Sequence, residues 1–319
     1  MKRSIIFASS LSAGALSTTP ALACSSCGCT LTTDWAAQGF GSVNPGLAID
    51  LRLDYLNQTE LRSGTHALDR GSLEVPNDRE IQQRTRNINY SVFLDYTANA
   101  NWGVNLQVPY FDRYHTTIAP GDTDISTSHT KSLGDVRVVG RYQGFSPDHS
   151  LGMQFGVKLP TGSIHNTFIS GPQTGQPLDR GLQPGTGTTD LLLGAYNFGA
   201  LNRDWDYFVQ GLVQLPMNYK EDFKPGNGLN VNFGVQYAGF EHWTPRLQIN
   251  ARIEDRDKGA QADIENSGAT LVYLSPGAYV HLTHKTHAYA FVQLPIYQRV
   301  NGFQIEPKYT ASVGVRFQF

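Results

Sequence analysis

From Pro45 to Phe319 the chain alternates apolar and polar residues with a period of two, segment after segment, and no other feature restricts its fold as strongly. Leu47, Ile49, Leu51, Leu53 and Tyr55 enclose Asp50, Arg52 and Asp54; Ile88, Tyr90, Val92, Leu94 and Tyr96 enclose Asn89, Ser91 and Asp95. Period two sends successive side chains to opposite faces of a β-strand. The pattern recurs over 102–110, 136–142, 151–159, 205–215, 231–237, 243–253, 288–296 and 308–319, each about the length a tilted strand needs to cross a bilayer. Two segments are less regular: 188–198, where Leu191-Leu192-Leu193 hides the parity, and 267–282, where a parity change predicts a bulge near Pro276. The sum is about twelve strands.

Composition agrees once the alternation is known. A hydrophobic share of 40% and a mean hydropathy of -0.31 look like those of a soluble protein, but a membrane barrel presents only alternate residues to lipid, so its average is unremarkable. The 32 glycines and 11% aromatic residues favour strands and turns over helices. A net charge of -2 offers no basic surface, and nucleic acid is excluded as a partner. Met1-Lys2-Arg3, a mildly apolar stretch over 4–15 and Ala21-Leu22-Ala23 read as a secretory signal peptide over 1–23, with the mature chain starting at Cys24. No later window of about 18 apolar residues supplies a spanning helix. An exported chain of this kind enters a membrane only as a closed barrel.

Loop lengths test that reading independently. Connections at 99, 146–149, 199–203, 241 and 283–285 are short, and those over 58–84, 112–131, 161–187, 217–226, 256–266 and 298–306 are longer. Alternating short and long connections with an even strand count predict short periplasmic turns, longer extracellular loops and both termini in the periplasm of an outer-membrane barrel over 45–319. Under this topology Tyr96, Trp102, Tyr142, Trp205, Tyr237, Trp243, Phe317 and Phe319 face outward at the periplasmic strand ends, where amphipathic rings prefer the membrane interface. Val108-Pro109, Leu159-Pro160, Leu215-Pro216 and Leu294-Pro295 are expected to close upward strands at their outer ends.

The final strand carries Tyr309, Ala311, Val313, Val315, Phe317 and Phe319 on one face, and Lys308, Thr310, Ser312, Gly314, Arg316 and Gln318 on the other. It resembles the C-terminal assembly signal of outer-membrane proteins, carried here by Tyr309, Val313, Val315, Phe317 and Phe319, which implies the barrel-assembly machinery and outer-membrane lipid as partners. The competing reading of this strand is the closing edge of a secreted β-sandwich. Leu133-Gly134-Asp135-Val136, Val157-Lys158-Leu159-Pro160-Thr161-Gly162, Gly187-Thr188-Thr189-Asp190, Leu274-Ser275-Pro276-Gly277 and the string from Gln293 to Gly302 give a more specific likeness. With these strings the chain resembles the outer-membrane transporter-like family named for the MetA pathway of phenol degradation. That resemblance implies passage of small, often aromatic, solutes.

Candidate chemistry lies in three places. Asp50, Arg52, Asp54, Asp95, Arg137, Arg141, Lys158, Arg246, Arg252, Glu254, Lys308 and Arg316 are expected to face the lumen, forming either a water-filled eyelet or a locked ion-pair network. The Gly- and Pro-rich stretch 161–187 is long enough to fold inward as a constriction or to remain an external loop. Cys24, Cys27 and Cys29 hold all the thiols of the chain, and form a disulfide, carry an acyl group on Cys24 or capture a soft metal ion; no other cofactor is expected. His281, His284 and His287 flank a turn on the same side, with His242 on the neighbouring one, although a spacing of three alternates strand faces. An enzyme would need His115 or His129 beside Ser126 or Ser128, and no nucleophile motif accompanies them. The sequence thus points to an all-β outer-membrane channel for small solutes that is not an enzyme. Its alternative is a non-conducting structural or docking platform with a metal-binding Cys segment.

Overall fold

The computed structural model describes residues 43–319. The signal peptide and the Cys24, Cys27 and Cys29 segment lie outside the described residues. The strands are β1 (Gly46–Gly64), β2 (His66–Ala67), β3 (Ile81–Thr97), β4 (Trp102–Ile118), β5 (Ser126–Leu133), β6 (Val136–Tyr142), β7 (Leu151–Leu159), β8 (Asp190–Ala200), β9 (Trp205–Pro216), β10 (Gly228–Tyr237), β11 (Trp243–Glu254), β12 (Ala269–Thr283) and β13 (Thr286–Gln318). Eleven of them follow one another around a closed antiparallel ring, β13 returning to β1, while β2 and β5 lie outside it. No helix among the described residues is long and apolar enough to cross a membrane.

A ring of antiparallel neighbours closes only with an even number of passes, and β13 resolves the odd count of elements. Residues Thr286 to Val300 pair with β12, and Val300 to Gln318 pair with β1, so this 33-residue strand runs up one side of its turn and down the other. The chain therefore crosses the wall twelve times. Gly302, at φ +58°, sits at the reversal, where a Cβ would meet the Asn266 carboxamide at 2.1 Å. The expected loop over 298–306 is thus strand and tight turn. The expected loop over 112–131 is also largely strand: β4 and β5 form a hairpin from Tyr110↔Leu133 to Thr117↔Ser126 beyond the point where β4 leaves β6. Gly134 marks the break between β5 and β6, its N–H donating to the Pro109 carbonyl at 2.9 Å.

Two further expectations change. Pro109 and Pro295 lie inside strands, not at their ends; Pro109 is tolerated where β4 exchanges one partner for another, and Pro295 next to a register shift. That shift is the bulge expected at Pro276, but it falls between Val272 and Tyr273 of β12, leaving Ile296 and Tyr297 of β13 both exposed. Parity runs unbroken along β12 from Ala269 through Leu271, Tyr273 and Ser275 to Tyr279, all buried. Its inward face is aromatic and aliphatic, and composition alone hid the register.

The outer wall is apolar and exposed: Leu47, Leu51, Val92, Val104, Phe155, Leu193, Val213, Phe233, Leu247, Ile249, Val292 and Val313 all face away from the lumen. A surface so apolar on every strand fits hydrocarbon, where closure leaves no backbone donor unpaired. Trp102, Tyr142, Phe145 and Phe155 form one ring cluster at the turn end of the barrel, and Trp205, Tyr237, Phe240 and Trp243 form another. Tyr309, Val313 and Phe319 are exposed on the outer face, and Phe319 donates its N–H to the Leu47 carbonyl at 2.9 Å. We call this turn end, which carries Gly46 and Gln318, the near end, and the opposite one the far end.

Candidate functional site

The inward faces of the strands fill much of the lumen. At mid-depth an uncharged chain crosses one side: Ser275 Oγ donates to Asn250 at 2.6 Å, Asn250 to Asn232 at 2.8 Å, Asn232 to Gln210 at 2.9 Å and Gln210 to Gln154 at 2.6 Å. The members sit on β12, β11, β10, β9 and β7, with Gly194 of β8 opposite Gln154 where the chain passes over β8, and all are buried. Buried amides joined head to tail satisfy one another and fix the side-chain rotamers.

The near end is closed by charge pairs and rings. Arg141 Nη1 lies 2.6 Å from Asp95 and its Nη2 donates to Thr97 at 2.5 Å, with Arg316 at 3.8 Å from the same carboxylate. Tyr289 Oη donates to Asp50 at 2.7 Å, and Tyr289 stacks on Tyr279 at 5.0 Å with Phe291 against both. Arg246 lies over the Tyr279 ring at 3.8 Å. Gly103 makes room for this pair, because a Cβ there would stand 2.2 Å from the Arg141 guanidinium carbon and displace the head group.

The far half holds a cavity of about 170 Å³. Its walls are Arg52, Asp54, Phe93, Phe111, Arg113, Asp135, Arg137, Lys158, Arg252 and Glu254, among others, and its roof comes from Arg180, Gly181, Gln183, Pro184 and Thr186 of the 160–189 connection. That connection folds inward, and two wall residues hold it. Asp135 accepts from the Gly162 and Thr186 amides, each at 3.0 Å, from Thr186 Oγ1 at 2.9 Å and from Lys158 at 3.0 Å. Arg113 donates to the Leu182 carbonyl at 2.6 Å and to Asn87 at 2.6 Å. Phe168, Leu178 and Leu182 of the roof bury against Ile305 on the return leg of β13, so the segment is anchored to both sides of the barrel. Gly162 and Gly185 cross at its neck, where a Cβ on Gly162 would be 2.6 Å from the Gly185 Cα. The Thr127 amide and carbonyl also bond Ser170 and Ile169, which pins the roof to β5.

The twelve residues expected in the lumen divide between the two regions. Arg52 with Asp54 (2.7 Å), Arg252 with Glu254 (2.9 Å), Lys158 with Asp135 and Asp190 (3.0 Å each) and Arg137 with Gln214 (3.4 Å) line the cavity. Asp50, Asp95, Arg141, Arg246 and Arg316 belong to the near-end closure. Lys308 is the exception. It is exposed beside an equally exposed Tyr309, because the register shift between Leu56 and Gln58 of β1 gives β13 an extra residue over 307–310, which the shift before Glu60 reverses, and turns Lys308 out of line with Thr310 and Ser312. The roof residues and Arg113 had no periodic signal to announce them, since 112–131 reads as a loop; the 161–187 length and glycine content did indicate an inward fold as one option.

Ionisation at the far end is shaped by burial. Asp257, on the connection between β11 and β12, is pushed up to about 7 by desolvation, with Glu254 and Asp263 adding to the shift and the Gly226 amide and Arg252 opposing it. His115 and His129 face opposite sides of the β4–β5 hairpin. His115 is buried with Nδ1 at 2.8 Å from Thr85 Oγ1, and His129 bonds Asp112 at 2.8 Å on the outside. Ser126 Oγ accepts from the Gln173 amide at 3.1 Å instead of meeting a base.

No family model matches this chain, and no curated protein does. Among solved structures, an outer membrane channel from Pseudomonas putida F1 is similar at 10% identity and a TM-score of 0.65, covering 88% of this chain and 98% of the channel. The translocator domain of the autotransporter NalP from Neisseria meningitidis is similar at 12% identity and a TM-score of 0.50, covering 89% and 92%. The chain has the fold of a bacterial outer-membrane β-barrel.

Proposed function

We propose that the protein is an outer-membrane channel for small solutes, with single-ring aromatic compounds as the class its cavity fits, the near end facing the periplasm and the far end the cell exterior. The observation that carries the proposal is the roofed cavity. A dry apolar cavity of about 150 Å³ holds one benzene, and the 170 Å³ here is flanked by the rings of Phe93, Phe111 and Phe223. Arginines stand over two of those rings, Arg113 at 5.6 Å from Phe111 and Arg180 at 5.0 Å from Phe223, so a planar guest meets π faces and guanidinium planes together. The lining counts six cationic side chains (Arg52, Arg113, Arg137, Lys158, Arg180, Arg252) against four acidic ones (Asp54, Asp135, Glu254, Asp257), which favours neutral or anionic solutes over cations. The resemblance to the phenol-pathway transporter family supports the same class.

The path continues past Phe93, Gln107 and Arg137 into a narrower space of about 40 Å³ that ends at Arg141 and Gln154. Beyond lies a near-end opening of about 280 Å³ that includes Asp95, Thr97 and Arg316. The Asp95–Arg141 pair therefore stands between the two spaces and sets the narrowest step of the route. Purified barrel in planar bilayers should give small, stepwise conductances, and in liposomes should admit phenol or benzoate faster than a sugar of similar mass. Silent bilayers from heat-modifiable, folded protein, together with uptake no faster than in empty liposomes, would refute the channel.

A further inference from the structure

We propose that the near-end rim carries a metal site, a two-imidazole clamp of His281 and His287 for a divalent late-transition-metal ion such as Zn²⁺, with His242 as the adjoining third donor. Sequence spacing argues against it, since residues three or six apart straddle a turn in no fixed relation. The register decides otherwise. His281 of β12 lies directly opposite His287 of β13, because the pairing slips by one residue between His281 and Thr283 at the turn. The His281 amide donates to the His242 carbonyl at 2.9 Å, one step beyond Trp243↔Val280. Three histidines thus stand in a row on three neighbouring strand ends, and paired residues of an antiparallel sheet point to one face.

The hydrogen-bond pattern makes the second pair the closer one. Since the His281 N–H is turned toward His242, the His281–His287 pair is of the non-hydrogen-bonded kind, in which Cα atoms approach to about 4.5 Å and side chains meet. Their ring centroids are 5.0 Å apart at 77°. Two imidazoles bound to one tetrahedral zinc through bonds of about 2.1 Å also hold their ring centres roughly 5 Å apart. His287 Nδ1 is buried without a hydrogen-bond partner, a cost that a coordinated ion removes. His281 is exposed and His287 half-buried, so an ion has access.

Among the described residues no three His, Cys, Asp or Glu side chains already converge on one point. The clamp is therefore open, completed by water or by rotation of the exposed His242, as an ion with free coordination positions requires. Imidazole donors suit zinc, copper and nickel, and exclude calcium and magnesium, which take oxygen ligands. The cations Arg246 and Arg316 act on His287 from the lumen side and hold the affinity down.

Zn²⁺ titrated calorimetrically into the folded full-length mature protein in detergent should report one site per chain. His281→Ala and His287→Ala should each weaken it at least tenfold, and His242→Ala by less. A variant with Cys24, Cys27 and Cys29 all changed to Ser tests the thiols, and should keep the histidine-dependent site. His287→Gln, which retains a polar side chain, separates ligation from folding, with heat-modifiable migration as the check on the barrel. Binding unchanged in the His281→Ala, His287→Ala double variant, or lost on removing the cysteines alone, would overturn the assignment.

Discussion

The two ends of this lumen are closed by different means. At the near end every closing group stands on a wall strand: Arg141 on β6, Asp95 on β3, Asp50 on β1, Tyr279 on β12 and Tyr289 on β13. At the far end the strands only make the walls, and the closure is a connection of about thirty residues folded back between them. A stopper built into the wall moves only if the barrel moves. A stopper hung on Asp135, Arg113 and an apolar cluster can be released by breaking those contacts, and the two halves should therefore respond oppositely to mutation.

The largest effect should come from removing the roof. Deleting 163–184 and joining Gly162 to Gly185 uses a neck in which these glycines already touch, so the wall is left intact. Bilayer conductance should rise several-fold while the protein stays heat-modifiable. Unchanged conductance would mean that the near-end pair alone limits flow, and would erase the difference between the two ends.

Next in size is Asp135→Ala. It removes three roof hydrogen bonds and one of the two carboxylates paired with Lys158. Hydrogen bonds to charged groups contribute about 1.5–3 kcal/mol each, so losing three is expected to cost about 5 kcal/mol in denaturant unfolding, while Asp190 retains part of the ion pair. The roof should also loosen, with noisier and larger openings. Asp190→Ala, which keeps the Asp135 and Arg113 bonds to the roof and removes only the one from Thr188 Oγ1, should cost stability with a smaller change in the current trace.

How much of this was legible in the sequence follows the same division. Asp50, Asp95, Arg141 and Arg316 could be placed because period two carries parity from one residue to the next along a strand. Lys308 failed because a bulge consumes one residue, and no side chain in 303–309 signals where the ladder slips. Tyr273 and Tyr279 were obscured for another reason: inward-facing rings copy the composition of the lipid face. The roof had no period to follow, since a connection is held by specific partners such as Asp135, and those contacts appear only when the chain is folded; Arg113 does lie on β4, but over 112–117 polar residues occupy both faces and hide the alternation. The two-way course of β13 was legible as separate strands over 288–296 and 308–319; only its connection was not, because the reversal at Gly302 is tighter than the loop expected over 298–306.

Substitutions at the near end should change selectivity more than size. Asp95→Asn leaves Arg141 and Arg316 without their shared carboxylate, and anion preference should increase; Arg141→Met leaves Asp95 with the more distant Arg316, and anion preference should decrease. Reversal potentials in a KCl gradient read both, and shifts of the same sign in the two variants would remove this pair from the solute path. Breaking a buried pair from one side costs about 3–5 kcal/mol, so the double variant Asp95→Asn, Arg141→Met should be more stable than the sum of the single losses predicts.

The smallest effect is a pH dependence confined to the far half. Burial lifts Asp257 to about 7 from an ordinary value of 3.8, so the folded chain keeps this proton where the unfolded chain has lost it. Stability from this group is therefore greatest below the unfolded value, falls as pH rises from about 4 to about 7, and is level above that. The same ionisation adds a negative charge to a cavity with six cationic side chains. Anion preference in bilayers should be slightly higher at about pH 6 than at about pH 8, and Asp257→Asn should hold it at the lower-pH value throughout. The near-end pair has no part in that change, so a pH response that persists in Asp257→Asn, or that vanishes in the Asp95→Asn, Arg141→Met variant, would place the sensing group at the wrong end of the barrel.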